Sequence, residues 1–279
     1  MQQRVAVIVA YAGGHWHGFQ RQPAAPSVQG ELERALEVLF GEPVRVRGAG
    51  RTDAGVHAAG QVVDFLLPGG CRIPIARLPR ALASHLPPDI VPWSAHAVPP
   101  DFHARKQALG KRYRYLIWRA GPLSPFLGPY VLAHHGPLDV EAMAGAAAAF
   151  VGRHDFSAFA GSARPVPDAV RTVADCRVRP ADHLLSVEVE ADGFLYRMVR
   201  AIAGTLLEVG RGALAADAIP ALLAGRRRGD AGPSLPPQGL CLLWVRYPEH
   251  LGLPAPEACG AWPPAPGEGL SAWTSGDLP

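Results

Sequence analysis

The sequence predicts an α+β protein of two ferredoxin-like units, each in the order β-α-β-β-α-β, with adjoining antiparallel sheets. Three observations lead there. Strand-like segments, either continuously apolar or alternating with period two, are interleaved with segments of helical period. The same order of elements occurs once in each half of the chain. The length of 279 residues, with 48% hydrophobic and 18% charged residues, is enough for two cores and argues against disorder.

In the first half, Val5 to Ala10 is a continuous apolar run, as expected of a buried strand. Ser27 stands as an N-cap before a helix whose apolar face is Val28, Leu32, Ala35, Leu36, Leu39 and Phe40, and Gly41 ends it. Val44 to Arg47 alternates apolar and basic residues, as a half-buried strand would. A loop from Gly48 to Gly60 then leads to a strand over Gln61 to Leu66. A shorter helix around Ile75 to His85 and a strand over Ile90 to Val98 complete the unit.

The second half repeats the pattern. Lys111 to Trp118 reads as a strand, and Asp139 to Phe150 as an Ala-rich helix that Asp139 caps. Strands follow over Arg171 to Arg179 and over Leu184 to Ala191, where Leu185, Val187 and Val189 alternate with polar residues. A helix over Phe194 to Val209, a short one over Ala218 to Ala224 and a strand over Leu240 to Tyr247 close the unit. The expected domains are residues 1–104, 105–248 and a Pro/Gly-rich tail, 249–279.

Composition excludes some classes. No apolar run reaches the roughly 18–20 residues of a membrane helix, and the first strand lacks the pattern of a signal peptide, so a cytoplasmic protein with no membrane association is expected. Cys71, Cys176, Cys241 and Cys259 are scattered and form no CxxC pair, which argues against zinc and redox chemistry. His15 with His17, and His134 with His135, lack a third ligand, so no metal is expected. The formal net charge is only +3, but basic residues gather at Arg45, Arg47 and Arg51, at Arg105, Lys106, Lys111, Arg112 and Arg114, and at Arg226 to Arg228. The last group reads as a solvated face.

The stretch richest in chemistry is Gly48-Ala49-Gly50-Arg51-Thr52-Asp53-Ala54-Gly55-Val56-His57-Ala58. Its glycines permit tight backbone and close approach of a ligand. A carboxylate beside an arginine there keeps its charge and projects from a rigid rim. This string resembles the catalytic signature of the tRNA pseudouridine synthase A family. Further matches follow in the family's order: Gly18 to Gln22 with Ser27-Val28-Gln29, Asp101 to Arg105, Lys111 to Tyr115, Arg197 to Arg200, and Gly239-Leu240. One departure is Ala12, where the family commonly carries an aspartate.

The resemblance implies the pseudouridine synthase fold and isomerisation of uridine in the anticodon arm of tRNA (positions 38–40), by a homodimer without a cofactor. It implies three catalytic residues. Asp53 is the essential carboxylate acting at the sugar's anomeric carbon, where glycosidic cleavage builds positive charge. Tyr113 stacks on the base and Arg200 pairs with Asp53. The substrate-binding residues it implies are Tyr113 again, Leu240 against the other face of the uracil, and Arg51 in the space left by the everted nucleotide.

Two rivals have distinct signatures. A non-catalytic RNA-binding protein with two RRM-like units needs paired aromatics on its strands, and the first unit's central strands offer only Phe65. A hydrolase of nucleosides or sugars needs two carboxylates, for which Asp64 is the nearest second candidate.

Overall fold

A computed structural model of the chain describes residues 3–161, 167–225 and 230–254. These form two compact units. One holds the described residues up to Lys111 together with those from Cys241 onward, and the other spans Arg112–Leu240. Arg226 to Arg228, Cys259 and residues 255–279 of the expected tail lie outside the described residues.

In the first unit β1 (Arg4–Tyr11) is buried on nearly every residue, because a strand paired on both sides and covered on both faces has no place for polar side chains. α1 (Val28–Phe40) begins where Ser27 Oγ accepts from Gly30 N and ends at Gly41 in the left-handed region, as predicted. It is followed by β2 (Arg47–Gly48), β3 (His57–Leu66), α2 (Leu78–Ala83) and β4 (Ile90–Val98). β1 pairs antiparallel with β3 (Val7 opposite Val63) and with β4 (Val7 opposite Ala95), giving the order β4-β1-β3. The short β2 pairs antiparallel with the far end of β3, Arg47 opposite Asp64. α2 follows a 3-10 turn over Ile75–Arg77 and packs on β4.

The second unit takes in β5 (Gly110–Trp118) from Arg112 onward, followed by β6 (Leu132–Ala133), α3 (Val140–Ala147), β7 (Gly152–Asp155), β8 (Val170–Ala181), β9 (Leu184–Ala191), α4 (Met198–Gly210) and α5 (Ile219–Gly225). Its strand order is β5-β9-β8-β7, with β6 parallel on β5. β8 pairs antiparallel with both β9 and β7. Asp139 Oδ1 accepts from Ala142 N at 2.8 Å and caps α3, as predicted. α4 is buried on almost every residue and packs against α3.

The last strand, β10 (Leu240–Arg246), closes the predicted second unit in sequence, yet from Cys241 onward it groups with the first unit. It lies parallel on β3, Cys241 opposite His57 and Leu242 opposite Ala58. The fold is therefore a mixed α+β arrangement of sheets with few helices.

Three local expectations need correction. Val44 to Arg47 alternates in burial as predicted, but only Arg47 and Gly48 pair as strand, since Glu33 Oε1 on α1 takes Val46 N (3.2 Å). β3 begins at His57 rather than Gln61. The small residues Ala58, Ala59 and Gly60 read as loop but make room for β10; a Cβ at Gly60 would stand 2.5 Å from Leu243 O. α4 begins at Met198 rather than Phe194, because Arg197 at its N-cap has φ 61°, which breaks the helix there. β6 and β7 were too short for a sequence pattern to reveal.

Candidate active site

The loop carrying Asp53 leaves β2 and enters β3, and it is pinned by neutral hydrogen bonds from within the first unit. Gln61 Nε2 donates to Gly50 O (2.9 Å), and Ala49 N donates to Val62 O (2.8 Å). Thr52 is buried. Its hydroxyl shares a 2.8 Å hydrogen bond with the Tyr11 hydroxyl, and its carbonyl accepts from Phe19 N. Burial drives the Tyr11 phenol far above its usual range, against the opposing effect of the Thr52 bond, so it stays protonated. Val56 N donates to Asp53 O (3.1 Å), and His57 Nδ1 accepts from Gly13 N (3.0 Å). The stretch over 13–18 lies directly against this loop. Gly18 has φ 93°, and a Cβ on it would stand 2.7 Å from Thr52 O, so only glycine fits. Held this way, Asp53 is half-buried and its neighbour Arg51 is exposed.

The other predicted site residues belong to the second unit. Tyr113 on β5 is buried, its ring edge-on to Phe194 at 5.1 Å. Arg200 is buried in the first turn of α4, and its Nε donates to Leu235 O (2.6 Å) while its own carbonyl accepts from Leu235 N (3.2 Å). Leu240 is buried at the start of β10, after a 3-10 turn over Pro237–Gly239. The structure ties Arg200 and Leu240 together through residues 235–239.

Sequence reasoning passed over Tyr115, which completes that tie. Two residues beyond Tyr113, and so on the same face of β5, its hydroxyl donates to Pro236 O (2.8 Å) and its ring covers Gly239, where a Cβ would stand 2.6 Å from Cζ. Burial pushes its phenol far up, opposed by the charge of Arg200. Period two from Tyr113 was the available signal. Tyr11, Thr52 and Gln61 gave none, because each acts through a partner distant in sequence.

Several basic residues grouped by sequence are structural. Arg112 donates to Glu188 (3.0 Å), Asp175 (2.9 Å) and Glu190 (2.8 Å), and Arg114 donates to Glu188 (2.8 Å). Arg45 pairs with Glu33 at 3.3 Å. Asp64, fully buried, accepts from Arg4 (2.7 Å), from Arg47 Nε (3.0 Å) and from Ala104 N (2.9 Å). So engaged, it is a packing hub and not a second catalytic carboxylate. Phe65 is buried too, which leaves no aromatic platform of the RRM kind on β3.

The family model for tRNA pseudouridine synthase matches residues 7–105 and 146–248. The chain belongs to this family. The match takes in Arg51, Asp53, Arg200 and Leu240, while Tyr113 falls between the matched segments. Similar curated proteins include tRNA pseudouridine synthase A of Acetivibrio thermocellus, 45% identical over 247 residues, 88% of this chain and 100% of that one. The same-named protein of Moorella thermoacetica is 47% identical over 243 residues, 86% of this chain and 98% of that one. That of Methylacidiphilum infernorum is 44% identical over 245 residues, 86% of this chain and 94% of that one. Among the described residues of this synthase-family chain no group of His, Cys, Asp or Glu is arranged to hold a metal ion, and no helix is long and apolar enough to cross a membrane.

Proposed function

We propose that this protein isomerises uridine to pseudouridine in tRNA, acting on the anticodon arm, with Asp53 as the catalytic carboxylate. The observation that carries the reading is the Asp53 loop itself. Its full family signature sits on a loop held at Gly50, Thr52 and His57, which supports a fixed backbone under the carboxylate.

The reaction breaks the bond from the anomeric carbon to N1, turns the uracil, and forms a bond from the same carbon to C5. N1 gains a proton and C5 loses one. Atoms and oxidation state are conserved, so no cofactor is required. Asp53 stabilises the positive charge that develops on the sugar. Arg200, its Nε donating to Leu235 O, is the partner that the family resemblance implies for that carboxylate. Tyr113, braced edge-on by Phe194, stacks on the uracil, and Leu240 closes the opposite face. Arg51, exposed beside Asp53, fills the gap left by the everted nucleotide.

In this reading residues 1–104 carry the catalytic loop, residues 105–248 complete the site, and the enzyme is a cytoplasmic homodimer. The order β4-β1-β3, with β2 on the other edge of β3, supports a ferredoxin-like first unit. The test is incubation with unmodified tRNA transcripts followed by mapping of pseudouridine. Its appearance in the anticodon arm with wild type and its absence with Asp53→Asn are expected. Near-normal turnover by that variant would end the mechanism.

A further inference from the structure

We infer that the turn over residues 100–107 is a phosphate grip for the RNA substrate, built from Arg105 and Lys106 and held at a fixed place relative to the catalytic loop. The inference rests on the functional reading only in taking tRNA as the substrate.

The backbone of this turn is fastened from several directions by side chains of the first unit. Arg4 Nε donates to Pro100 O (2.8 Å), Arg47 Nη2 to Phe102 O (2.7 Å), and the Tyr247 hydroxyl to Ala104 O (2.5 Å). Ala104 N donates to the buried Asp64, which also gathers Arg4 and Arg47. The turn closes on itself as well. His103 N donates to Gln107 Oε1 (2.8 Å), Lys106 N donates to His103 O (3.1 Å), and His103 Nδ1 accepts from Arg105 N (3.3 Å). Partial burial, with the nearby charges of Arg47 and Lys106, holds the His103 ring below its usual pKa, so at neutral pH it stays neutral.

What this rigid backbone presents outward is two cations. Arg105 and Lys106 are exposed, and neither enters an ion pair among the described residues. Arg4, Arg45, Arg47, Arg112 and Arg114 all do. A pair of uncommitted charges on a braced turn suits a polyanion, because little backbone freedom remains to be lost when phosphate binds. Arg47 supplies the link to the chemistry. Its guanidinium holds Phe102 O, and its backbone leads into the loop that carries Asp53. Phosphates seated on Arg105 and Lys106 therefore set the position of the strand in which the target uridine lies.

The test is the salt dependence of binding of an unmodified tRNA transcript to the full-length protein carrying Arg105→Ala with Lys106→Ala. Both side chains are exposed, so folding is not at stake. Loss of two phosphate contacts should weaken binding roughly tenfold or more at low salt. It should also make the slope of log affinity against log salt shallower by about 1.5. KM for tRNA should rise in step. The control is Arg77→Ala with Arg80→Ala, which removes the same charge from the 3-10 turn and α2 of the same unit; it should keep the wild-type slope. A wild-type slope in the Arg105 and Lys106 variant, or an equal change in the control, would overturn the inference. Failure of the wild-type protein to form pseudouridine would instead defeat the functional reading and leave the slope comparison standing.

Discussion

The Asp53 loop and the face of β5 that bears Arg112 and Arg114 are both rigid, but by opposite means. The loop is fixed by uncharged bonds, Tyr11 with Thr52, Gln61 with Gly50 and Gly13 with His57, and the one carboxylate it presents is half-buried. The strand face is fixed by charge, with two arginines set among Asp175, Glu188 and Glu190. Neutral bonds hold the backbone of that loop without drawing on its carboxylate. Ion pairs within a sheet consume theirs, and removing one partner strands the other in a poorly solvated place.

The sharpest way to test that contrast is Asp53→Asn, which should abolish pseudouridine formation while leaving the denaturant midpoint and tRNA affinity near wild type. Glu188→Ala should do the reverse: by taking a buried carboxylate from both Arg112 and Arg114 it should cost about 3–5 kcal/mol of stability, read from urea unfolding. A loss below 1 kcal/mol would show that the network is better solvated than its burial indicates. Tyr115→Phe removes the bond to Pro236 O and should cost about 1 kcal/mol. Because that bond steadies the segment between Arg200 and Leu240, kcat should fall more than KM changes, whereas a purely structural role would leave both alone.

The smallest effect expected is that of Tyr11→Phe, about 1 kcal/mol from the lost bond to Thr52. It carries a pH signature. The folded phenol ionises well above its usual value of 10.0, so the folded state holds its proton where the unfolded chain releases it. That contribution is complete below about pH 10 and declines as pH rises past it. Tyr115 and Tyr247 shift in the same direction, so Tyr11→Phe should remove part of the alkaline loss of stability and not all of it. Unchanged alkaline unfolding would assign the loss to the other two.

Much of the fold could be read from local pattern. The caps at Ser27 and Asp139, the stop at Gly41 and the limits of β4 and β9 follow from rules that act within a few residues. What escaped depends on partners far along the chain. The early start of β3 comes from the approach of β10, and the delayed start of α4 comes from a left-handed Arg197. The same division holds for the site. Asp53 and its glycines form one contiguous string, whereas the assignment of Arg47, Arg112 and Arg114 to internal pairs depends on carboxylates on other strands. Charge clusters in sequence carried no sign of which would be neutralised.

The placement of β10 bears on how the molecule is made. The first unit lacks a strand until residues beyond Cys241 have been synthesised, so during translation the edge of β3 near His57 and Ala58 waits for a segment nearly two hundred positions away. A chain released before that point would expose this edge as a template for stray strands. The start of β3, into which the Asp53 loop runs, thus gains its parallel neighbour only once β10 has been made.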